Sequence, residues 1–191
     1  LDVAHNIDGP VYVRFLRGDI PRLFPKSEPM ELNKARVLSS GDDVTIITAG
    51  ICTEEAMRAS AILREKGASI EHLHISTHKP FNDPQVLESI QKAKHGIITM
   101  ENHTIVGGLG SAVAEMMAEN AIGKRLIRLG LKDVYPHGAS RHYLMKEYHL
   151  DAMAFVQAID ELIDVDYQIS EQDLEKVRLE ETFSDAKADA L

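Results

Sequence analysis

Two hydrophobic periods alternate along most of this chain. Val44-Thr45-Ile46-Ile47-Thr48-Ala49 is short and almost wholly apolar or β-branched, the pattern of a strand covered on both faces. After Gly50 the period lengthens. Ala56, Ala59, Ile62 and Leu63 share one helical face, with Thr53 as the expected cap, Glu54 and Glu55 in the first turn and Gly67 as the stop. Ala68 to Ile75 predicts a second strand. Asn82-Asp83-Pro84 then starts a helix, with Asp as cap, Pro at the first position and Leu87 and Ile90 facing inward. Gly96 to Met100 predicts a third buried strand, and the Gly107, Gly108, Gly110 loop leads through Ser111 into a helix carrying Val113, Met116 and Met117. A fourth strand is expected from Arg125 to Leu131, and two helices from Ser140 to Tyr148 and Asp151 to Leu162. Strand and helix alternate throughout, so the expected architecture is a three-layer α/β sandwich with a mostly parallel sheet.

Both ends depart from this rhythm. Residues 1–33 read as an arm: Val11 to Leu16 is apolar enough for a strand, and Pro21, Pro25 and Pro29 then make an extended linker. A single strand is not stable alone, so this one calls for a sheet elsewhere in the fold or outside the chain. The regular domain runs over 34–164. Residues 165–191 are expected to be an acidic tail, solvated and mobile apart from one weak amphipathic turn at Leu174, Val177 and Leu179. From Asp166 to Leu191 there are eight acidic and three basic residues, a net of −5 out of −9 for the whole chain. The chain opens on Leu1 rather than Met, which suggests a segment of something longer.

Composition narrows the class. Of 191 residues, 44% are hydrophobic and 27% charged, which fits a globular protein and not a fibrous or disordered one. No apolar run approaches a membrane span, and the first residues lack a signal-peptide pattern. The 21 Lys and Arg against 30 Asp and Glu argue against wrapping nucleic acid or coating an anionic membrane. A single Cys52 excludes an internal disulfide and fits a cytoplasmic location.

Several residues carry candidate chemistry beside a plainer alternative. His72 and His74 lie on one strand face about 7 Å apart. No carboxylate recurs at ligand spacing, so polar residues at a strand end are favoured and no metal site is expected. Gly107-Gly108-Leu109-Gly110 offers backbone N–H groups at a helix start that could cradle a phosphate, or simply a tight turn. Glu101 and His103 leave the carboxyl edge of a strand, where they form either an acid–base pair or an interface contact. Cys52 opens a helix, as a stabilised thiolate or a small core residue. Arg14 and Arg17 interrupt an apolar stretch, and Arg17 before Gly18 could present its fork to an anion or make a surface ion pair.

Five strings together resemble one family. GPVYVRFLRGDIP is similar to the end of the pyrimidine-binding domain of transketolases. GDDVTIITAGICTEEAMRAS, HISTHKPFND, ITMENHTIVGGLGSAVAE and LGLKDVYPHGASRHYLMKEYHLDAMAFVQAIDEL resemble successive parts of the transketolase C-terminal domain. They span roughly residues 9–164 and look most like the C-terminal section or subunit of a split bacterial or archaeal transketolase. The β-type E1 subunits of 2-oxoacid dehydrogenases and the deoxyxylulose-phosphate synthases are the near alternatives, and a free-standing regulatory binding module is a third.

The resemblance implies part of a thiamine diphosphate and Mg²⁺ enzyme that transfers two-carbon ketol units between sugar phosphates, as in pentose phosphate chemistry. The partners it implies are the diphosphate-binding and pyrimidine-binding domains, or an N-terminal subunit, in a homodimer of the complete assembly. The Gly-Asp-Gly motif of the diphosphate domain has no counterpart here. The chain alone is therefore expected to bind no cofactor and to be inactive. The family's phosphate-contacting arginine corresponds to Arg17. The C-terminal domain carries no catalytic residue in this comparison, which assigns His78, Lys79, Glu101 and His103 to an interface.

Overall fold

The computed structural model describes residues 2–16, 20, 22–25 and 27–177. A short helix α1 (Asp2–His5) precedes the arm. The domain then runs β1 (Arg36–Ser39), β2 (Val44–Thr48), α2 (Cys52–Glu65), β3 (Ile70–His74), α3 (Pro84–Lys92), β4 (Gly96–Thr104), α4 (Leu109–Glu119), β5 (Leu126–Leu131), α5 (Arg141–Glu147), α6 (Ala152–Ile163) and α7 (Glu171–Lys176). The five strands lie in the order β1-β3-β2-β4-β5. β2 to β5 are parallel where they pair, and β1 runs antiparallel against β3.

Successive residues of a strand face opposite ways, so a sheet covered on both sides needs apolar side chains at adjacent positions. Ile46 and Ile98 enter one core with Leu63 of α2 and Phe155 and Ile159 of α6. Ile47 and Ile97 enter the other with Ile90 of α3 and Val113 and Met117 of α4. This is the expected three-layer sandwich with its mostly parallel sheet. Asp83 caps α3 as predicted, its carboxylate accepting the Gln85 N–H at 3.0 Å.

Four sequence expectations are corrected or extended. Thr53 does not cap α2. That helix starts two residues earlier, at Cys52, with Ile51 at the cap position and no side-chain cap, and Thr53 is buried inside its first turn. Residues 11–16 form no strand: among the described residues nothing pairs with them, and Tyr12 and Phe15 stand 90% and 69% exposed. β1, hidden in the polar-looking Arg36-Val37-Leu38-Ser39, is an edge strand that the pattern does not announce. Finally, the described part of the acidic stretch, 165–177, holds α7. Its Leu174 is 4% exposed against the α2–α6 core, and Ser170 and Asp173 form a reciprocal capping box at its start. The rest of that stretch, Leu179 included, lies outside the described residues.

Candidate functional site

The carboxyl ends of β2, β3 and β4 open toward one edge of the sheet, where α/β folds place ligands. Three polar constellations gather there.

The first is a buried chain of hydrogen bonds. His72 Nε2 lies 2.9 Å from Thr48 Oγ1, which lies 2.9 Å from Thr53 Oγ1, which lies 2.8 Å from His74 Nδ1. Residues 44, 46 and 48 of β2 and 70, 72 and 74 of β3 share a face, so the strand register delivers both imidazoles to the underside of α2. Burial depresses the His72 pKa to about 3, with neighbouring His74 adding to it. Burial likewise brings His74 down to about 4, helped by Arg36 and His78. Neutral imidazoles bonded to hydroxyls are structural groups, and no set of three or more His, Cys, Asp or Glu among the described residues is arranged to hold a metal.

The second concerns the glycine loop. Glu101, 3% exposed, turns its carboxylate into the start of α4: Oε2 accepts the Leu109 N–H and Oε1 the Gly110 N–H, each at 2.8 Å. The backbone donors that might have cradled a phosphate are therefore occupied by an anion of the chain itself, in keeping with the positive end of a helix. Gly108 is required for this approach, because a Cβ there would collide with Glu101 Oε2 and with the Thr104 carbonyl. His103 is exposed at the end of β4 and forms no acid–base pair with this carboxylate, whose oxygens are already bonded to backbone.

The third lies on the surface above. Partial burial lowers the His78 pKa, against the pull of Glu101 and with the help of nearby Arg14 and His103. Lys79 is exposed beside His78. The Arg14 guanidinium donates to the Asn102 carbonyl at 3.0 Å. Gly50, at φ 62°, carries the chain beneath: a Cβ there would lie 2.5 Å from Asn102 Oδ1 and 3.8 Å from Leu16 Cδ2. Arg17 lies outside the described residues.

Cys52 is fully buried and its thiol is pushed far up by that burial, with Glu55 and Glu101 adding to it, so it is a core residue and not a nucleophile. One buried charge was not anticipated. Glu71 accepts from Ser89 Oγ and Lys92 Nζ at 2.6 Å each. Burial alone would raise its pKa, but Lys92, Ser89 and the Gly41 N–H outweigh that and lower it. Its only sequence signal is a Glu inside a predicted strand, with Lys92 21 residues further on in another element. A cavity of about 50 Å³ between α2, α5, α6 and α7 is far below the roughly 300–1,000 Å³ of a small-molecule pocket. No helix among the described residues is long and apolar enough to cross a membrane.

The sandwich, its glycine loop and its carboxyl-edge polar cluster define a three-layer α/β domain. Residues 33–154 match the family "Transketolase, C-terminal domain", and the chain belongs to that family. It is 40% identical over 155 residues to the provisionally named transketolase C-terminal section of Methanocaldococcus jannaschii, covering 80% of this chain and 48% of that protein. It is 38% identical over 162 residues to a 6-deoxy-6-sulfo-D-fructose transketolase subunit of Clostridium sp., covering 85% and 49%. A 1-deoxy-D-xylulose-5-phosphate synthase of Chlorobium phaeovibrioides is 33% identical over 160 residues, covering 81% and 25%. Among solved structures, a split-gene transketolase in an inactive β4 tetramer superposes with a TM-score of 0.77 at 31% identity, covering 85% of this chain and 52% of that one. The chain spans about half the length of the first curated relatives it matches.

Proposed function

We propose that this chain is the C-terminal section of a transketolase-type enzyme that moves two-carbon ketol units between sugar phosphates in the cytoplasm. The observation that supports it most is the 38–40% identity, over 80–85% of the chain, to transketolase C-terminal sections and subunits. In this reading the chain works with diphosphate-binding and pyrimidine-binding domains, or an N-terminal subunit, in a homodimer of the whole. It contributes Arg17 to the substrate phosphate, and His78, Lys79, Glu101 and His103 to the interface. Glu101 acts there through the α4 turn that it holds in place.

Transketolases use thiamine diphosphate with Mg²⁺, and the described residues of this chain do not fit that group. There is no Gly-Asp-Gly in the sequence, the N–H pair at α4 is taken by Glu101, and the described residues hold no acidic cluster for a cation. In this reading the cofactor is held by the partner domains.

The test is reconstitution. The complete parent is mixed with its diphosphate-domain partner and assayed for ketol transfer from D-xylulose 5-phosphate, in parallel with condensation of pyruvate and glyceraldehyde 3-phosphate. Transfer activity, with a raised KM for xylulose 5-phosphate in Arg17→Ala, is the expected result. Activity in the second assay alone would make the parent a deoxyxylulose-phosphate synthase. An unchanged KM in Arg17→Ala would remove the phosphate contact.

A further inference from the structure

The loop between β3 and α3 carries His78 and Lys79, yet the sheet and helices do little to hold it. Among the described residues, no backbone group from Ser76 to Asn82 bonds to another backbone group. Its hydrogen bonds run instead to the last residues of the linker. The Asn33 N–H donates to Thr77 Oγ1 at 2.9 Å. Asn33 Nδ2 donates to Asn82 Oδ1 at 2.7 Å, and Asn33 Oδ1 accepts the Asn82 N–H at 3.3 Å. Asp83 closes the knot with both its oxygens: Oδ1 caps α3, and Oδ2 accepts the Ala35 N–H at 2.6 Å. Asn33 has φ 54°, a left-handed backbone that Asn adopts more readily than most residues. Ala35 from the linker and Phe81 from the loop both pack on the core that holds Ile47 and Ile90. The gap these groups enclose is about 10 Å³, no more than one water molecule needs. Further back, the Phe24 ring centroid lies 4.9 Å from that of His74 and 4.4 Å from the Arg36 guanidinium, so the linker follows this edge of the sheet before it reaches the knot.

We propose that this knot presents His78 and Lys79 to the interface, so that the linker sets the shape of the assembly surface. Asn33 and Thr77 are positioning residues: they act through the loop. This rests on the reading of His78 and Lys79 as interface residues. Thr77 immediately precedes His78, and Asn82 follows Lys79 by three residues, so both flanks of the pair are tied down. A surface loop without ladder hydrogen bonds opens readily. Holding both flanks leaves it less conformational freedom to lose on association.

Two measurements separate the knot from the reading beneath it. Asn33→Gly removes both bonds to Asn82, while glycine keeps the left-handed backbone and the N–H to Thr77. Thr77→Val removes the hydroxyl acceptor at nearly constant shape. In the chain itself, amide hydrogen exchange over residues 76–82 should quicken by about 3–10-fold in each variant, the equivalent of one net hydrogen bond. Exchange in β2 and β4 should stay as in the parent sequence. Equal exchange of the loop in parent and variants would overturn the knot, and so would an equal rise in β2 and β4, which would make these contacts part of global stability. In the reconstituted enzyme, Asn33→Gly should raise the protein concentration for half-assembly by ~3–10-fold and leave kcat at saturating concentration unchanged. His78→Ala with Lys79→Ala should raise the same concentration, and adding Asn33→Gly to that pair should change little more, because the knot acts through them. If the pair weakens assembly and Asn33→Gly does not, or adds its effect in full, the knot's role in assembly is overturned while the interface stands. If the pair leaves assembly unaltered, the interface reading of His78 and Lys79 falls and the role of the knot falls with it.

Discussion

Glu101 provides the sharpest test of how this edge of the sheet is built. Its carboxylate is 3% exposed and accepts two backbone N–H groups at 2.8 Å each. Glu101→Gln keeps nearly the same shape but changes the chemistry. One amide oxygen still accepts, while the NH₂ group meets the second N–H donor to donor. A hydrogen bond to a charged group contributes about 1.5–3 kcal/mol, and a donor stripped of its partner costs about 1–3 kcal/mol. The negative charge at the α4 N-terminus adds roughly 0.3–1 kcal/mol. The loop cannot shift to compensate, since Gly108 already sits against Glu101 and Thr104. The expected loss is about 2–4 kcal/mol. For a chain of this size that lowers the melting temperature by roughly 4–16 °C. Differential scanning calorimetry at pH 7.5 measures it, with exposed Glu119→Gln at the other end of α4 as the control that should barely move. A Glu101→Gln protein melting within roughly 1 °C of the parent would refute the claim that this carboxylate holds the loop.

Other expectations follow from the same contacts. His72 and His74 are held near pKa 3 and 4 in the fold, below the usual 6.5. Below pH 6.5 the unfolded chain therefore binds protons that the folded chain refuses. Stability should be complete above about pH 6.5 and fall between pH 6.5 and 5, with buried His72 contributing up to about 1.4 kcal/mol per pH unit. Urea unfolding across that window should give a shallower slope in His72→Gln. Leu174→Ala should cost about 2–3 kcal/mol by chemical denaturation, because α7 packs on the core; no loss would mean that α7 is dispensable. Gly108→Ala should cost about 1–3 kcal/mol from overpacking against Glu101, read by the same method. Lys124 donates to the carbonyls of Ile90, Gln91 and Ala93 at the end of α3. Lys124→Met should lower stability by about 1–2 kcal/mol, and an unchanged denaturation midpoint would contradict that role.

The elements that were legible in the sequence are those whose signal is local. Val44 to Ala49 and Gly96 to Met100 read as buried strands because both faces of each are apolar, and Asp83-Pro84 announces a helix because one residue caps and the next fits the first turn. The carboxyl-edge cluster was legible in part. Its members could be named, since polar residues at the ends of apolar strands stand out, but not their partners. Glu101 and His103, two apart on one strand, suggested each other. A register shift between β4 and β5 near residues 100–104 accompanies their parting, one going under α4 and the other to the surface.

What the sequence determined by itself was the alternation of periods, and with it a parallel sheet between two helical layers. That follows because each period is set by bond geometry a few residues long. Only the tertiary structure decided which groups across the sheet meet. Thr53 serves His74 instead of its own helix, Glu101 fills the turn that a phosphate might have used, Leu174 folds back onto α2, and Phe24 finds His74 and Arg36. Each of these joins residues at least eight apart, and most join residues far more distant than that. Burial, strand register and the need to pair every buried polar atom choose such partners, and no local pattern encodes them.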